Sequence, residues 1–410
     1  MRLALTRFLA PFLALPLLAG PRPGEAAAPS PDAIRIGVLS DMTGPYADLA
    51  GAGSVIAAQM AAEDFAAEVG AGGPKVEILA ADQLNKPDVG AAIVRAWIDR
   101  DNVAAVVDVP NSAVALAVNQ VLREKDRVFL ASSPATSDLT GRQCSPDTVQ
   151  WVFDTWALAH GTARAVLAKG GQSWFFITAD YAFGQALERD ASAEVKRAGG
   201  TLRGDARVPL NTHDFSSYLL QAQNSGADVV ALANTGADAV NAAKQAAEFG
   251  LTRSGKQRLV GLLLFLTDVD ALGLADAQGL LLTEAFYWDL NDKTRAWSQR
   301  FAARHGGRMP TMDQAGVYSS VLAYLRATLA AHSIVGHEVV ARMKQAPIDD
   351  PLFGPTTIRA DGRAVHAMYL FQVKSPAESK GRWDDYNLVA TIPAAEAFRP
   401  LAEGGCSLVP

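Results

Sequence analysis

Only two of the 410 residues are cysteine and six are histidine. No Cys–His cluster occurs, and the spacing of His160, His213, His305, His332, His337 and His366 matches no metal-ligand pattern, so neither a metal nor a cofactor is expected. The Gly-x-Ser-x-Gly elbow of hydrolases and the phosphate-cradling Gly-x-x-x-x-Gly-Lys are both absent. "GAGSVIAAQ" from Gly51 carries half of a dinucleotide fingerprint, but it falls inside a helical pattern and not at a strand end. His213-Asp214 imitates a base with its orienter, yet "NTHDFSSYLLQA" reads as a helix start capped by Asp214. The chain is therefore not expected to be an enzyme. Lysine and arginine form no run, and the formal net charge is −6, which argues against a nucleic-acid partner.

What is present begins at the N-terminus. Arg2 and Arg7 precede the apolar "FLAPFLALPLLAG", broken by Pro11 and Pro16, and "GEAAAPS" offers a small-residue site at Ala26 and Ala28. This is the layout of a secretory signal peptide, expected over residues 1–28 with cleavage after Ala28. The run is too short and interrupted for a membrane span, so a soluble periplasmic protein is expected. In an oxidising compartment a lone cysteine pair usually bonds, and Cys144 with Cys406 is the expected disulfide, tying down the C-terminal tail.

From residue 33 onward, apolar strands alternate with amphipathic helices, the pattern of parallel sheets covered on both faces. Two series of about 120 residues predict an α/β fold of two doubly wound lobes. The segment 292–345 reads as mostly helical, and "PTTIRADGRAVHAMYLFQV" as a strand hairpin turning at Asp361-Gly362. No Gly/Ser or Pro-rich linker separates the series, so several short crossings are expected.

Doubly wound sheets bind ligands at the carboxyl ends of their strands. Those ends read "SDMTGPYADL", "DVPNSAV", "ASSPATSD", "TADYAFG", "ANTGADA" and "LLLFLTD". They carry hydroxyls and amides at Thr43, Asn111, Ser112, Ser132, Ser133, Thr136, Asn234 and Thr235, aromatics at Tyr46, Tyr181, Phe183 and Phe265, and no lysine or arginine. Trp156 lies where the chain passes into the second series. Such donors at helix starts can hold a carboxylate, with the aromatics as an apolar wall.

Four ordered stretches, "IRIGVLSDMTGPYADLAGAG", "FLASSPATSDLTG", "ITADYAFGQALERD" and "DFSSYLLQAQNSGADVVALAN", resemble the leucine/isoleucine/valine-binding family of periplasmic solute receptors. The resemblance covers nearly the whole chain after the signal peptide. It implies a type I periplasmic binding protein, closing two lobes on a small molecule and delivering it to the transmembrane subunits of an ABC permease. Three hinge crossings are implied near 154–157, 282–286 and 351–355. The implied lobes are 32–155 plus 285–351 and 156–284 plus 352–410, in a monomer. Carried over from the family, Asn111, Ser112, Ser132, Ser133 and Ala135, with Thr136 beside it, hold a carboxylate, while Phe183, with Tyr181 beside it, closes over the ligand. Asn234 to Gly236 supply a further contact, and Tyr46 and Trp156 complete the expected site.

Where the family places a glutamate for the ligand's ammonium, this sequence has Leu263, Leu264 and Phe265. A buried ammonium without a counter-ion costs several kcal/mol, so a small apolar or aromatic carboxylate is expected ahead of an amino acid. Asp108, Asp154 or Asp180 could still serve an amine. Binding of a branched-chain amino acid or amide is the alternative, as is a ligand-sensing module for a membrane receptor.

Overall fold

The computed structural model describes residues 33–251 and 255–409, so the expected signal peptide lies outside the described residues. Val, Ile and Ala dominate the first series, and its strands form a five-stranded parallel sheet. In spatial order these are Lys75–Asp82, Ala33–Ser40, Ala105–Asp108, Val128–Ala131 and Thr148–Gln150. Helices Gly51–Val69, Pro87–Asp101 and Ser112–Lys125 connect its first four strands. Only glycine fits at Gly37, because a Cβ there would lie 2.4 Å from the Trp97 ring of a covering helix. The second series repeats the plan with parallel strands Thr201–Val208, Ser173–Ala179, Val229–Ala233 and Arg258–Gly261. In both sheets the strand order reverses beside the first strand of the series, where an open α/β sheet leaves a crevice for a ligand.

The late helices return to the first sheet. Met312–Ala331 packs along Gly51–Val69, joined to it by Arg326–Glu68, while Arg300–Asp64 and Arg304–Glu63 tie the preceding helix Asp292–Arg304 to the same helix. The expected hairpin forms from Gly354–Ile358 and Ala364–Val365, with Gly362 at φ 85° in its turn. Of the stretch 352–410, Met368–Val373 and Tyr386–Ile392 join Leu281–Glu284 in an antiparallel sheet. The hairpin instead reaches the edge strand of the first sheet through the Gln150–Arg363 bridge. The tail follows it there: the Arg399 guanidinium donates to the Ser137 carbonyl (3.0 Å), and Cys406 is bonded to Cys144.

One cation organises the first crossing between the sheets. Arg363 is fully buried, donates to the carbonyls of Phe153 (2.9 Å) and Ala364 (2.8 Å), lies 3.7 Å from Asp154 and covers the Phe398 ring. Asp154 in turn caps the helix Thr155–Leu158 by accepting from Ala157 N (2.8 Å). That helix then widens into a π turn at Ala159–Ala163 before resuming at Arg164–Ala168.

The disulfide closes a loop across a separation of 262 residues. Replacing both cysteines by serine should lower stability by roughly 2–5 kcal/mol, read as a drop in the urea midpoint. An unchanged midpoint would mean that the tail is held by its noncovalent contacts alone.

Candidate ligand-binding cleft

The loop after the first strand is built around Asp41. Its carboxylate accepts from Gly44 N (2.7 Å), Tyr46 N (2.9 Å) and Asn85 Nδ2 (2.8 Å), which fixes the Thr43-Gly44-Pro45 turn and aims Tyr46 at the opposite lobe. There the Tyr46 and Tyr181 hydroxyls hydrogen-bond. Ala237 N donates to the Pro45 carbonyl (3.2 Å), and a Cβ at Gly236 would come 2.5 Å from that same oxygen. The two sheets therefore meet in a closed arrangement. Between them lies a small cavity of about 250 Å³. A ligand can enter only if the lobes part.

Tyr46, Ser133, Ala135, Tyr181, Phe183 and Thr235 from the expected site line this cavity, with Leu263 and Phe265 where the family glutamate was expected. Ser132 and Asn234 are buried beside these residues, and neither side chain has a hydrogen-bond partner among the described residues. Three expected contacts have structural duties instead. Asn111 Oδ1 caps the helix Ser112–Lys125, accepting from Ala113 N (2.9 Å) and Val114 N (3.2 Å). Ser112 Oγ accepts from Thr136 N, and Thr136 Oγ1 accepts from Asp138 N, both at 3.3 Å. Trp156 is outside the lining and stacks on His160, with centroids 4.4 Å apart.

The residue that sequence reasoning missed is Asp313. It lines the cavity, is 1% exposed, and both its carboxyl oxygens lack a partner among the described residues. Thr311 and Gln314 form a capping box at the start of Met312–Ala331, so an acid between them reads as an ordinary first-turn residue. Nothing local marks it. Its neighbour Asp108 ends the third strand, and Asp108 and Val109 both sit in the left-handed region, at φ 80° and 64°. Such strain is costly for a β-branched residue and is concentrated at functional sites. The Ser133 hydroxyl donates to Asp108 Oδ1, so it is already engaged in this closed form, while Asp108 Oδ2 has no partner among the described residues.

Burial, followed by repulsion from Asp108, holds the Asp313 carboxyl well above the usual carboxylate range. Burial likewise raises Asp108 to about 6, Asp268 to about 7 and Glu284 to about 8. No lysine or arginine lines the cavity among the described residues to oppose this. Each of these acids binds its proton more tightly folded than unfolded. Their contribution to stability is full below the unfolded carboxyl range, near pH 4, and is lost as pH rises through the raised values. The ligand-free protein should thus melt at progressively lower temperature from about pH 5 to about pH 8. Asp313→Asn should flatten that fall and raise the melting temperature at pH 8. Differential scanning calorimetry across pH reads both effects.

A model of the periplasmic binding protein family matches residues 33–382. The chain is 28% identical over 263 residues to the Leu/Ile/Val-binding protein homolog 6 of Brucella melitensis, a match covering 63% of this chain and 65% of that relative. It is similar to a periplasmic binding protein from Burkholderia mallei of known structure, at 46% identity and a TM-score of 0.88, over 92% of this chain and 99% of the other. A branched-chain amino acid ABC transporter periplasmic ligand-binding protein from Burkholderia xenovorans aligns at 40% identity and a TM-score of 0.80, over 92% and 100% of the two chains. With its type I fold of two doubly wound sheets facing one cleft, the chain belongs to the periplasmic binding protein family.

Proposed function

We propose that this chain is the periplasmic solute receptor of an ABC importer, and that it closes its two lobes on a small apolar carboxylate that also carries an amino group. Asp313 carries this reading. A buried carboxyl with two unpartnered oxygens is costly alone and becomes favourable once an ammonium reaches it. Leu263, Leu264 and Phe265 offer an ammonium no acceptor, and Asp313, brought in by the helix Met312–Ala331, supplies one. In this reading the rings of Tyr46, Tyr181, Phe183 and Phe265 enclose the apolar body, and the loop with Ser133 and Ala135 takes the carboxylate. Thr235 contributes its unpartnered hydroxyl. The branched-chain amino acid transport named for the Burkholderia xenovorans protein agrees with this ligand class.

A second reading rests on the raised carboxyls. If Asp313 and Asp108 stay protonated, each can donate a hydrogen bond to a ligand carboxylate, and an apolar or aromatic acid without an amine would bind. Matched pairs separate the two readings: leucine against 4-methylpentanoate, and phenylalanine against 3-phenylpropionate, each by titration calorimetry. The amino acid of a pair should bind about tenfold or more tightly, because a charge-assisted hydrogen bond contributes roughly 1.5–3 kcal/mol. Asp313→Asn should remove that preference. A tighter acid in both pairs would favour the second reading.

We place the hinges near 154–157, 282–286 and 351–355. Small-angle scattering should then show a smaller radius of gyration at saturating ligand than without it. An identical radius in both states would contradict opening about these crossings.

A further inference from the structure

Away from the cleft, three side chains from distant parts of the sequence converge on the first lobe. Asp126 ends the helix Ser112–Lys125 in a left-handed conformation (φ 51°), Asp147 precedes the edge strand Thr148–Gln150, and His337 lies in the first turn of Gly336–Met343. One ligand atom from each lies within 4.8 Å of the other two. His337 Nδ1 is 2.9 Å and 3.1 Å from the two Asp126 carboxyl oxygens, and His337 N donates to Asp126 Oδ1 at 3.0 Å. A histidine–aspartate pair would account for those two residues alone.

Asp147 is what the pair leaves unexplained. It is 3% exposed, yet Oδ1 is buried without a hydrogen-bond partner among the described residues. That oxygen has no donor among the described residues, although the side chain faces a second acid and an imidazole. Metal bonds of about 2.0–2.2 Å at tetrahedral angles set neighbouring ligand atoms roughly 3.3–3.5 Å apart, only slightly wider than the imidazole–carboxylate distances seen here. His337 and Asp126 are both partly exposed, which leaves room for water to complete the coordination.

We propose that Asp126, Asp147 and His337 form a binding site for a divalent first-row transition ion such as zinc. One imidazole among carboxylates suits zinc better than calcium or magnesium, which prefer oxygen-only sets. The ion would tie the late helix Gly336–Met343 to the first sheet, where Gly336 N already donates to the Asp126 carbonyl (3.0 Å). Histidine spacing in the sequence could not reveal such a site, because it takes only one histidine. The site is independent of the solute cleft.

The test is zinc titration of the intact, EDTA-treated protein by calorimetry, with thermal melts alongside. The wild type should take up one zinc and melt at a higher temperature with it, reversibly on adding EDTA. Asp147→Asn and His337→Ala should each lose both effects. Should Asp147→Asn fail to fold, the partly exposed His337→Ala decides. Zinc uptake that is absent, or that persists in His337→Ala, would overturn the proposal, as would equal stabilisation by calcium.

Discussion

Two buried carboxyl groups, Asp313 in the wall of the closed cavity and Asp108 close behind it, meet no lysine or arginine of that lining among the described residues, and much of the molecule follows from holding them there. Asp108 is delivered by the end of a buried strand and Asp313 by the first turn of a helix more than two hundred residues later. The helix Met312–Ala331 must therefore lie against the first sheet, and Arg326–Glu68 with the Tyr318–Asp64 hydrogen bond fixes it along Gly51–Val69. From the other lobe, Tyr181, Phe183 and Phe265 exclude water from the acids, which raises the cost of ionising them. A site built this way is unstable in its charged form and stable once a complementary group arrives. That difference is what can drive closure, since a ligand shifts an equilibrium only by its differential affinity for the two states.

The crossings are held in a way that allows such a shift. Arg363 carries its charge into the interior at the first crossing, and burial lowers it to about 10. It survives there on two carbonyls, the nearby Asp154 and the Phe398 ring. His366 sits beside it between the Trp151 and Ala367 carbonyls, with burial pushing it down to about 4, so it stays neutral and adds no repulsion. These contacts fix the strands at the crossing itself. The lobes touch through Tyr46 with Tyr181, the Pro45 carbonyl with Ala237 N, and Ser137 and Asp138 with Arg189 and Asp190.

The strand–helix alternation, the hairpin at Asp361-Gly362 and the pairing of Cys144 with Cys406 were legible in the sequence because each depends on local pattern or on compartment chemistry. The cleft was legible in part. Tyr46, Ser133, Tyr181, Phe183 and Thr235 lie at strand ends, and topology alone brings strand ends together. Asn111, Ser112 and Thr136 occupy equally plausible positions, but a polar side chain at a helix start has two possible partners, a ligand or its own backbone, and here the backbone takes all three. Asp313 was hidden for the opposite reason. Its local setting explains an acid completely, and only tertiary packing reveals that this one points into a cavity and not into solvent. The Asp126–Asp147–His337 cluster is of the same kind, assembled from three segments with no common motif.

Ligand choice turns on the protonation of Asp313. In the closed cavity, burial and the nearby Asp108 favour its protonated form, whereas an arriving ammonium favours the carboxylate. Binding of the amino-acid ligand, measured by calorimetry at pH 7 in buffers of differing ionisation enthalpy, should release protons, and Asp313→Asn should abolish most of that release. Proton uptake on binding, or release that is unchanged in the variant, would contradict the claim that Asp313 receives the ligand's amino group.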